Sequence, residues 1–191
     1  MDTTRKTLLI RLKTRSDSQA WREFYQLYGP LLYRYARSRG LSREDAEDVR
    51  SQCLVIVVQK IAEFEYDKAK GGFKNWLRRI ASNKIVDLYR KRREKVAESQ
   101  HLRGLLDPEP GPDEVWEQTW RNVHLRYCVE QVRDATSPRN YEAFRLLVLE
   151  NVSVDEVCHR LGMNRNQVYK AKSRVLRHVG QTCRELFGEE L

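Results

Sequence analysis

Apolar residues recur three and four positions apart along most of the chain, the spacing that places them on one face of an α-helix. Few segments alternate between apolar and polar residues as strands do, and glycine and proline are sparse. The first apolar stripe runs from Trp21 to Tyr35, with Gly29-Pro30 marking a kink or the start of a new helix. The pattern predicts an all-α fold.

Two further stripes predict long helices in the first half of the chain. One follows Ser42-Arg43-Glu44-Asp45, which resembles a capping box. Its run Leu54–Val58 is β-branched enough for a strand, yet it continues the helical spacing, so we predict helix there. The other stripe follows a loop over residues 65–72, runs from Phe73 to Leu88, and leads into the basic run Arg90-Lys91-Arg92-Arg93.

A change of composition divides the chain. Residues 107–117 contain three prolines and five carboxylates without a Lys or Arg, which is typical of a linker. From the end of this stretch onward, Trp116, Trp120, Val123 and Tyr127 indicate another helix. We therefore predict two small helical domains, over residues 1–100 and 126–191, joined by a flexible linker over 101–125.

The most specific local pattern begins at Ser153. Ser153 with Glu156 and Asn164 with Gln167 form two capping boxes, and Gly162 between them can adopt the left-handed conformation of a tight turn. The pattern predicts a helix-turn-helix motif, whose second helix enters the major groove of DNA. An ordinary helical hairpin with a solvated basic face is the alternative. The residues predicted to pack between the two helices are Val154, Val157, Leu161, Val168, Val175 and Leu176.

Charge strengthens the prediction of a nucleic-acid partner. The net charge is +9, from 36 Lys and Arg against 27 Asp and Glu, so the surface attracts polyanions. The second helix of the motif is basic, with no acid from Asn164 to His178. Side chains near its start can read base edges, while Lys and Arg further along neutralise phosphates. Its candidate DNA contacts are Arg165, Asn166, Gln167, Tyr169, Lys170, Lys172, Ser173, Arg174 and Arg177.

A second basic stretch runs from Lys68 to Lys95 and interleaves Lys and Arg with Phe73, Trp76 and Tyr89. Cationic side chains attract the phosphate backbone, and exposed aromatic rings can stack on unpaired bases. Burial in the core is the alternative for Phe73 and Trp76, and a solvated face is the alternative for any single lysine.

The loop Phe64–Gly72, at the start of this stretch, is a candidate pocket for an extruded base. Its glycines permit close approach of the backbone, and its lysines can hold adjacent phosphates. Its candidate contacts are Tyr66, Lys68 and Lys70.

Several other classes of protein are disfavoured. The four cysteines lack a Cys-x-x-Cys pair, and a zinc site at Cys158-His159 would need two distant ligands, so we predict buried reduced thiols and no metal. No carboxylate cluster or P-loop indicates catalysis, so we expect no enzyme, catalytic residue or cofactor. No apolar run reaches the roughly 20 residues of a membrane span and no signal peptide is evident, which predicts a cytoplasmic protein without a membrane partner.

The motifs also follow one another in a particular order. Asp45-Ala46-Glu47-Asp48 precedes Phe73-x-x-Trp76-Leu77-x-Arg79-Ile80-Ala81-x-Asn83, followed by Asp87, the basic run, a linker and the helix-turn-helix. This order resembles an extracytoplasmic-function sigma factor of the sigma-70 family. The resemblance covers about residues 18–95, similar to sigma region two, and 138–180, similar to region four.

The resemblance implies a set of partners. Region two of that family binds the β′ clamp helices of core RNA polymerase and recognises and melts the minus-ten element of promoter DNA. Region four reads the minus-thirty-five element in double-stranded form and contacts the β flap. An anti-sigma factor is a further candidate partner. A stand-alone helix-turn-helix regulator is the alternative function, but it leaves the basic and aromatic first half unexplained.

The resemblance also assigns residues by position. Asp45, Asp48 and Gln52 would bind core polymerase, and Asp45 and Asp48 are expected to face the surface. The family usually has a carboxylate where Gln52 stands. The recognition helix lacks the common Thr-Val-Lys-Ser-Arg run, so no promoter sequence can be transferred. A structural role is the alternative for two of the implied positions, core burial for Trp76 and an ion-pair partner or helix cap for Asp87. The positions implied beside the melted minus-ten strand are Trp76, Arg79, Asn83, Asp87 and Arg90.

Overall fold

The computed structural model describes residues 6–14, 16–65, 72–97 and 114–187, and every regular element in these ranges is helical. The all-α prediction is confirmed. The described residues fall into two compact units, one ending at Val123 and the other beginning at His124. The helices are α1 (Lys6–Leu12), α2 (Ser18–Ser38), α3 (Arg43–Lys60), α4 (Gly72–Ala97), α5 (Glu114–Asp134), α6 (Pro138–Phe144), α7 (Val154–Leu161) and α8 (Arg165–Phe187).

Local signals in the sequence explain where the first helices begin. Asp17 caps α2 by accepting a hydrogen bond of 2.9 Å from the Ala20 amide, and Ser42 caps α3 by accepting one of 3.1 Å from the Asp45 amide. Pro30 lies inside α2, so that helix continues through it and no new helix starts there. The β-branched run of α3 is helical, as predicted.

Aromatic side chains form the core of the first unit. Phe24 and Tyr28 of α2 and Phe73 of α4 are at most 1% exposed. The Tyr28 and Phe73 ring centroids lie 5.2 Å apart, with the rings edge to face. Helices α2, α3 and α4 therefore enclose one apolar centre, which fixes the position of the basic face of α4.

The first half of α5 belongs to this unit. Trp116 and Trp120 are fully buried, and their rings lie 4.9 Å from Tyr35 and 5.7 Å from Tyr28, respectively. Residues 101–113 of the predicted linker lie outside the described residues, while 114–125 are helical. The domain boundaries at 100 and 126 stay a prediction.

The second unit contains the helix-turn-helix, formed by α7 and α8. Its core combines residues of α6, α7 and α8 with the π-helical turn Arg145–Leu149. Leu176 is 44% exposed, so its predicted place in this core is wrong, because it lies beside rather than on the buried stripe of α8. The buried residues of this cluster are Ala143, Leu146, Val157, Met163, Val168 and Ala171.

The turn between α7 and α8 has the geometry that its sequence predicts. Gly162 adopts the left-handed conformation, with φ 58° and ψ 39°. Asn164 and Gln167 form a reciprocal capping box, in which each side-chain oxygen accepts a hydrogen bond of 2.9 Å from the other residue's amide. From α6, Arg139 Nη2 donates to the carbonyl oxygens of Leu161 and Gly162 at 2.7 and 2.9 Å, which fixes the turn from outside.

Two glycine substitutions test this turn. Gly162→Ala places a side chain on a left-handed residue and should lower the stability of the second unit by about 1–2 kcal/mol. Gly180→Ala is the matched control inside α8, where alanine favours helix and the new methyl makes only ordinary contact with Arg184. It should raise stability by about 0.5–1 kcal/mol. Hydrogen exchange of the α7 and α8 amides measures both changes, and equal effects of the two substitutions would contradict the assigned turn.

Candidate nucleic-acid interface

The outer face of α8 presents most of the predicted upstream DNA contacts on one surface. Helix α8 buries Val168, Ala171 and Val175, which leaves the intervening positions outside. Tyr169 is 50% exposed, so its ring can pack against a sugar or a base edge. Lys172 is half-buried, and the other members of the predicted set are exposed, namely Arg165, Asn166, Gln167, Tyr169, Lys170, Ser173, Arg174 and Arg177.

Two residues at the start of α8 are already engaged within the protein. The Gln167 side-chain oxygen serves the capping box, so a substitution there removes a helix cap as well as any base contact. Arg165 donates to Asp155 of α7 from Nε at 2.9 Å and from Nη2 at 2.7 Å. The hydrogen bonds and the charge of Asp155 raise the pKa of the Arg165 guanidinium. Sequence reasoning missed Asp155, because only the turn brings the two helix starts together.

The second basic stretch borders a cavity of about 340 Å³ in the first unit, between the end of α3 and the start of α4. Lys60 and Arg79 are the cationic groups of the cavity, and the Trp76 ring supplies an aromatic surface. The described residues that line it are Lys60, Glu63, Phe64, Glu65, Gly72, Trp76 and Arg79.

The two candidate aromatic residues of α4, Phe73 and Trp76, differ in burial. Phe73 is fully buried, as the alternative interpretation of that residue expected. Trp76 is half-buried, with its ring 4.9 Å from Phe64 and 5.5 Å from Phe73, and it faces the cavity. Tyr89, in contrast, donates its hydroxyl hydrogen to the Arg39 carbonyl at 2.6 Å. Trp76 is therefore the aromatic residue of this helix best placed to meet a base.

The remaining predicted minus-ten contacts lie along the exposed side of α4. Arg79, Asn83 and Arg90 are exposed. Asp87 lies 3.6 Å from Arg90 and 3.5 Å from Lys84, consistent with its interpretation as an ion-pair partner. The other three predicted contacts of this set, Tyr66, Lys68 and Lys70, lie outside the described residues.

The three residues predicted to bind polymerase lie on α3 in different environments. Asp48 and Gln52 are exposed. The Asp45 side chain is only 15% exposed and pairs with Arg92 of α4, so the expectation of a simple surface residue is wrong. The hydrogen bond from Ser42 and the charge of Arg92 hold the pKa of Asp45 below its ordinary value. A change at Asp45 would therefore disturb the α3–α4 packing as well as any partner contact.

All four cysteines are free thiols, with Cys53, Cys128 and Cys183 buried and Cys158 half-buried. Burial raises the pKa of Cys53 to about 12. Among the described residues, no group of three or more His, Cys, Asp or Glu side chains could hold a metal ion. None of the described helices has the length and apolar character needed to cross a membrane.

Taken together, the two units define a basic, all-α protein with a helix-turn-helix. A family model described as Sigma-70 region 2 matches residues 24–95, which include α3, the cavity and most of α4. Curated relatives that resemble the chain at 23–25% identity are named ECF RNA polymerase sigma factors. The first unit is thus similar to region 2 of the sigma-70 family, and the chain as a whole resembles extracytoplasmic-function (ECF) sigma factors.

The relatives are distant in sequence. The chain is 23% identical to the ECF RNA polymerase sigma factor SigE of Mycolicibacterium smegmatis, over 87% of this chain and 64% of SigE. It is 23% identical to the ECF RNA polymerase sigma factor BldN of Streptomyces coelicolor, over 94% of this chain and 66% of BldN. The chain thus spans slightly less than two thirds of these relatives' lengths.

One further relative and one solved structure are also similar to this chain. The RNA polymerase sigma factor CnrH of Cupriavidus metallidurans is 32% identical over 51% of this chain and 54% of CnrH. A chain in a solved structure of an RsbN–BldN complex is 20% identical, with a TM-score of 0.37, over 91% of this chain and 97% of that chain.

Proposed function

We propose that this protein binds core RNA polymerase and directs promoter-specific initiation of transcription, recognising minus-ten and minus-thirty-five elements. The observation that carries the proposal is the presence of an exposed basic surface on each unit, on α4 in the first and on α8 in the second. The first unit contains the region matched by the Sigma-70 region 2 model, and the second unit contains the helix-turn-helix. A stand-alone regulator would use only the basic surface of the second unit.

In this function the chain reads DNA in two ways. The start of α8 presents polar and cationic side chains to base edges in the major groove, while Lys170, Lys172 and Arg174 lie further along to meet phosphates. In the first unit, Trp76 and the cavity would capture unpaired bases of the minus-ten element, and Arg79, Asn83 and Arg90 would hold the adjacent backbone.

Promoter opening by this route needs no catalytic group or cofactor. Capture of unpaired bases favours the melted state by differential affinity, so the melting equilibrium shifts without a chemical step. Binding of both units to one polymerase makes the second DNA contact intramolecular, so two weak contacts give a selective complex. Such a protein acts in the cytoplasm, and an anti-sigma factor that covers either basic surface would switch it off.

The test is affinity capture of core RNA polymerase by the purified full chain in the absence of DNA. A sigma factor should bind the polymerase with a one-to-one stoichiometry. A stand-alone regulator should ignore polymerase and bind a duplex operator alone, usually as a dimer on two half-sites. Absence of polymerase binding would contradict the proposal.

The charge reversal Asp48→Arg should weaken polymerase binding by about tenfold or more. It would place a positive charge where the polymerase surface faces a negative one, and two like charges facing each other across an interface cost several kcal/mol. Asp48 is exposed, so the fold should be unaffected. Asp134→Arg is the control with the same charge change at a site that is 85% exposed in the second unit. Titration of labelled polymerase measures both, and an equal loss for the two variants would remove Asp48 from the interface.

A further inference from the structure

A carboxylate of α7 pairs with the first residue of the basic helix α8. Asp155, in the first turn of α7, faces Arg165, the first residue of α8. The Asp155 and Arg165 side chains are 72% and 67% exposed, so neither is held there by burial. A carboxylate near the DNA backbone repels phosphates and by itself lowers affinity.

The hydrogen bonds between these two residues use one edge of the guanidinium. Arg165 Nε donates to Asp155 Oδ1 at 2.9 Å, and Nη2 donates to Oδ2 at 2.7 Å. Nη2 also lies 2.6 Å from Oδ1, so the carboxylate holds the guanidinium through Nε and Nη2 and fixes its position. The hydrogens of Nη1 are not used by Asp155, because a guanidinium has five donors in a planar fork.

The part of the guanidinium that points away from Asp155 can meet a guanine. Arginine N–H groups match the O6 and N7 acceptors that guanine presents in the major groove. Residues at the start of a recognition helix are the ones that reach base edges. An exposed arginine without a partner would lose rotamer freedom on binding a base, whereas Arg165 is oriented beforehand by Asp155.

We propose that Asp155 is a positioning residue that orients Arg165 to read a guanine in the upstream promoter element. The inference rests on the proposed function, because it assumes that α8 enters the major groove of promoter DNA. It assigns Asp155 two opposite effects. The carboxylate lowers affinity for DNA in general and raises discrimination at one base pair.

The experiment is binding-site selection from DNA randomised over the upstream element, using holoenzyme reconstituted from the full chain and core polymerase. The wild type should select guanine at one position. Arg165→Ala should reduce that preference about tenfold, within the range for one bidentate base contact. Arg165→Lys should lose the preference as well, because lysine keeps the charge but lacks the planar fork.

The Asp155 variants provide the decisive comparison. Asp155→Ala should reduce the same preference about three- to tenfold and leave other positions unchanged, while affinity for sites without that guanine rises. In the Arg165→Ala background it should cause no further loss of preference. Glu156→Ala is the control, since it removes the neighbouring carboxylate, which pairs with Arg160 at 2.7 Å and not with Arg165.

The outcomes separate the two proposals. A wild-type holoenzyme that selects no upstream sequence would overturn the proposed function and this inference with it. A wild type that selects guanine through Arg165, together with an Asp155→Ala variant that keeps the full preference, would overturn the inference alone. The same would follow if Glu156→Ala caused an equal loss.

Discussion

Phe73→Ala should lower the free energy of unfolding of the first unit by about 3–5 kcal/mol, the loss typical of deleting a buried phenylalanine ring. A domain has only about 5–15 kcal/mol of net stability, so this single change removes a large share of it. Phe73 is fully buried at the centre of the aromatic core. The rings that would lose a partner are those of Phe24, Tyr28, Phe64 and Trp76.

Tryptophan fluorescence during denaturant unfolding measures this effect, since all four tryptophans precede residue 124 and report on the first unit. Tyr25→Ala is the matched control, because its ring is 47% exposed and lies outside the aromatic core, with Arg50 over its face at 5.4 Å. Its cost should stay below about 1 kcal/mol. A Phe73→Ala protein that unfolds at the wild-type denaturant concentration would show that the core is assigned wrongly.

Arg79→Glu should reduce the rate of promoter opening roughly ten- to hundredfold without changing affinity for core polymerase. Arg79 is exposed at the cavity beside Trp76, where the proposed melted strand would lie. The substitution removes a cation and places a carboxylate against phosphates, which costs several kcal/mol. A fluorescent base analogue in the minus-ten element measures the opening.

Arg22→Glu makes the same change of charge elsewhere in the first unit. Arg22 is exposed on α2 and hydrogen bonds only weakly to Gln19, at 3.2 Å. Its effect on opening should be small and should disappear as salt is raised, since distant surface charges are screened. If Arg79→Glu and Arg22→Glu slow opening equally, the effect comes from the net charge of the unit and not from a DNA site at the cavity.

Features specified by neighbouring residues could be predicted from the sequence. The Asn164–Gln167 capping box and the left-handed Gly162 were both identified in advance, because each depends on residues within one turn of helix. The helical state of the β-branched run in α3 followed from the spacing of apolar residues over a longer window. Periodicity also separated most buried from exposed positions on α8.

Features that depend on contacts between distant residues could not be predicted. Asp45 looked like a surface residue because its partner, Arg92, lies 47 positions later in the chain. Tyr89 looked available for stacking, but its hydroxyl bonds to a carbonyl 50 positions earlier. Asp155 was missed because its partner, Arg165, lies ten positions later, on the other side of the turn. Pair geometry of this kind is set by the tertiary packing of helices, which no single stretch of sequence specifies.

The central claim is that both basic surfaces act on one promoter while the chain is bound to polymerase. Run-off transcription with purified core polymerase and fragmented genomic DNA tests it most directly. We predict discrete start sites that require the full chain, are each preceded by two sequence elements, and lose about tenfold or more of their transcript with either Arg79→Glu or Arg165→Ala. Initiation that is absent on every template, or that persists unchanged in both variants, would contradict the account.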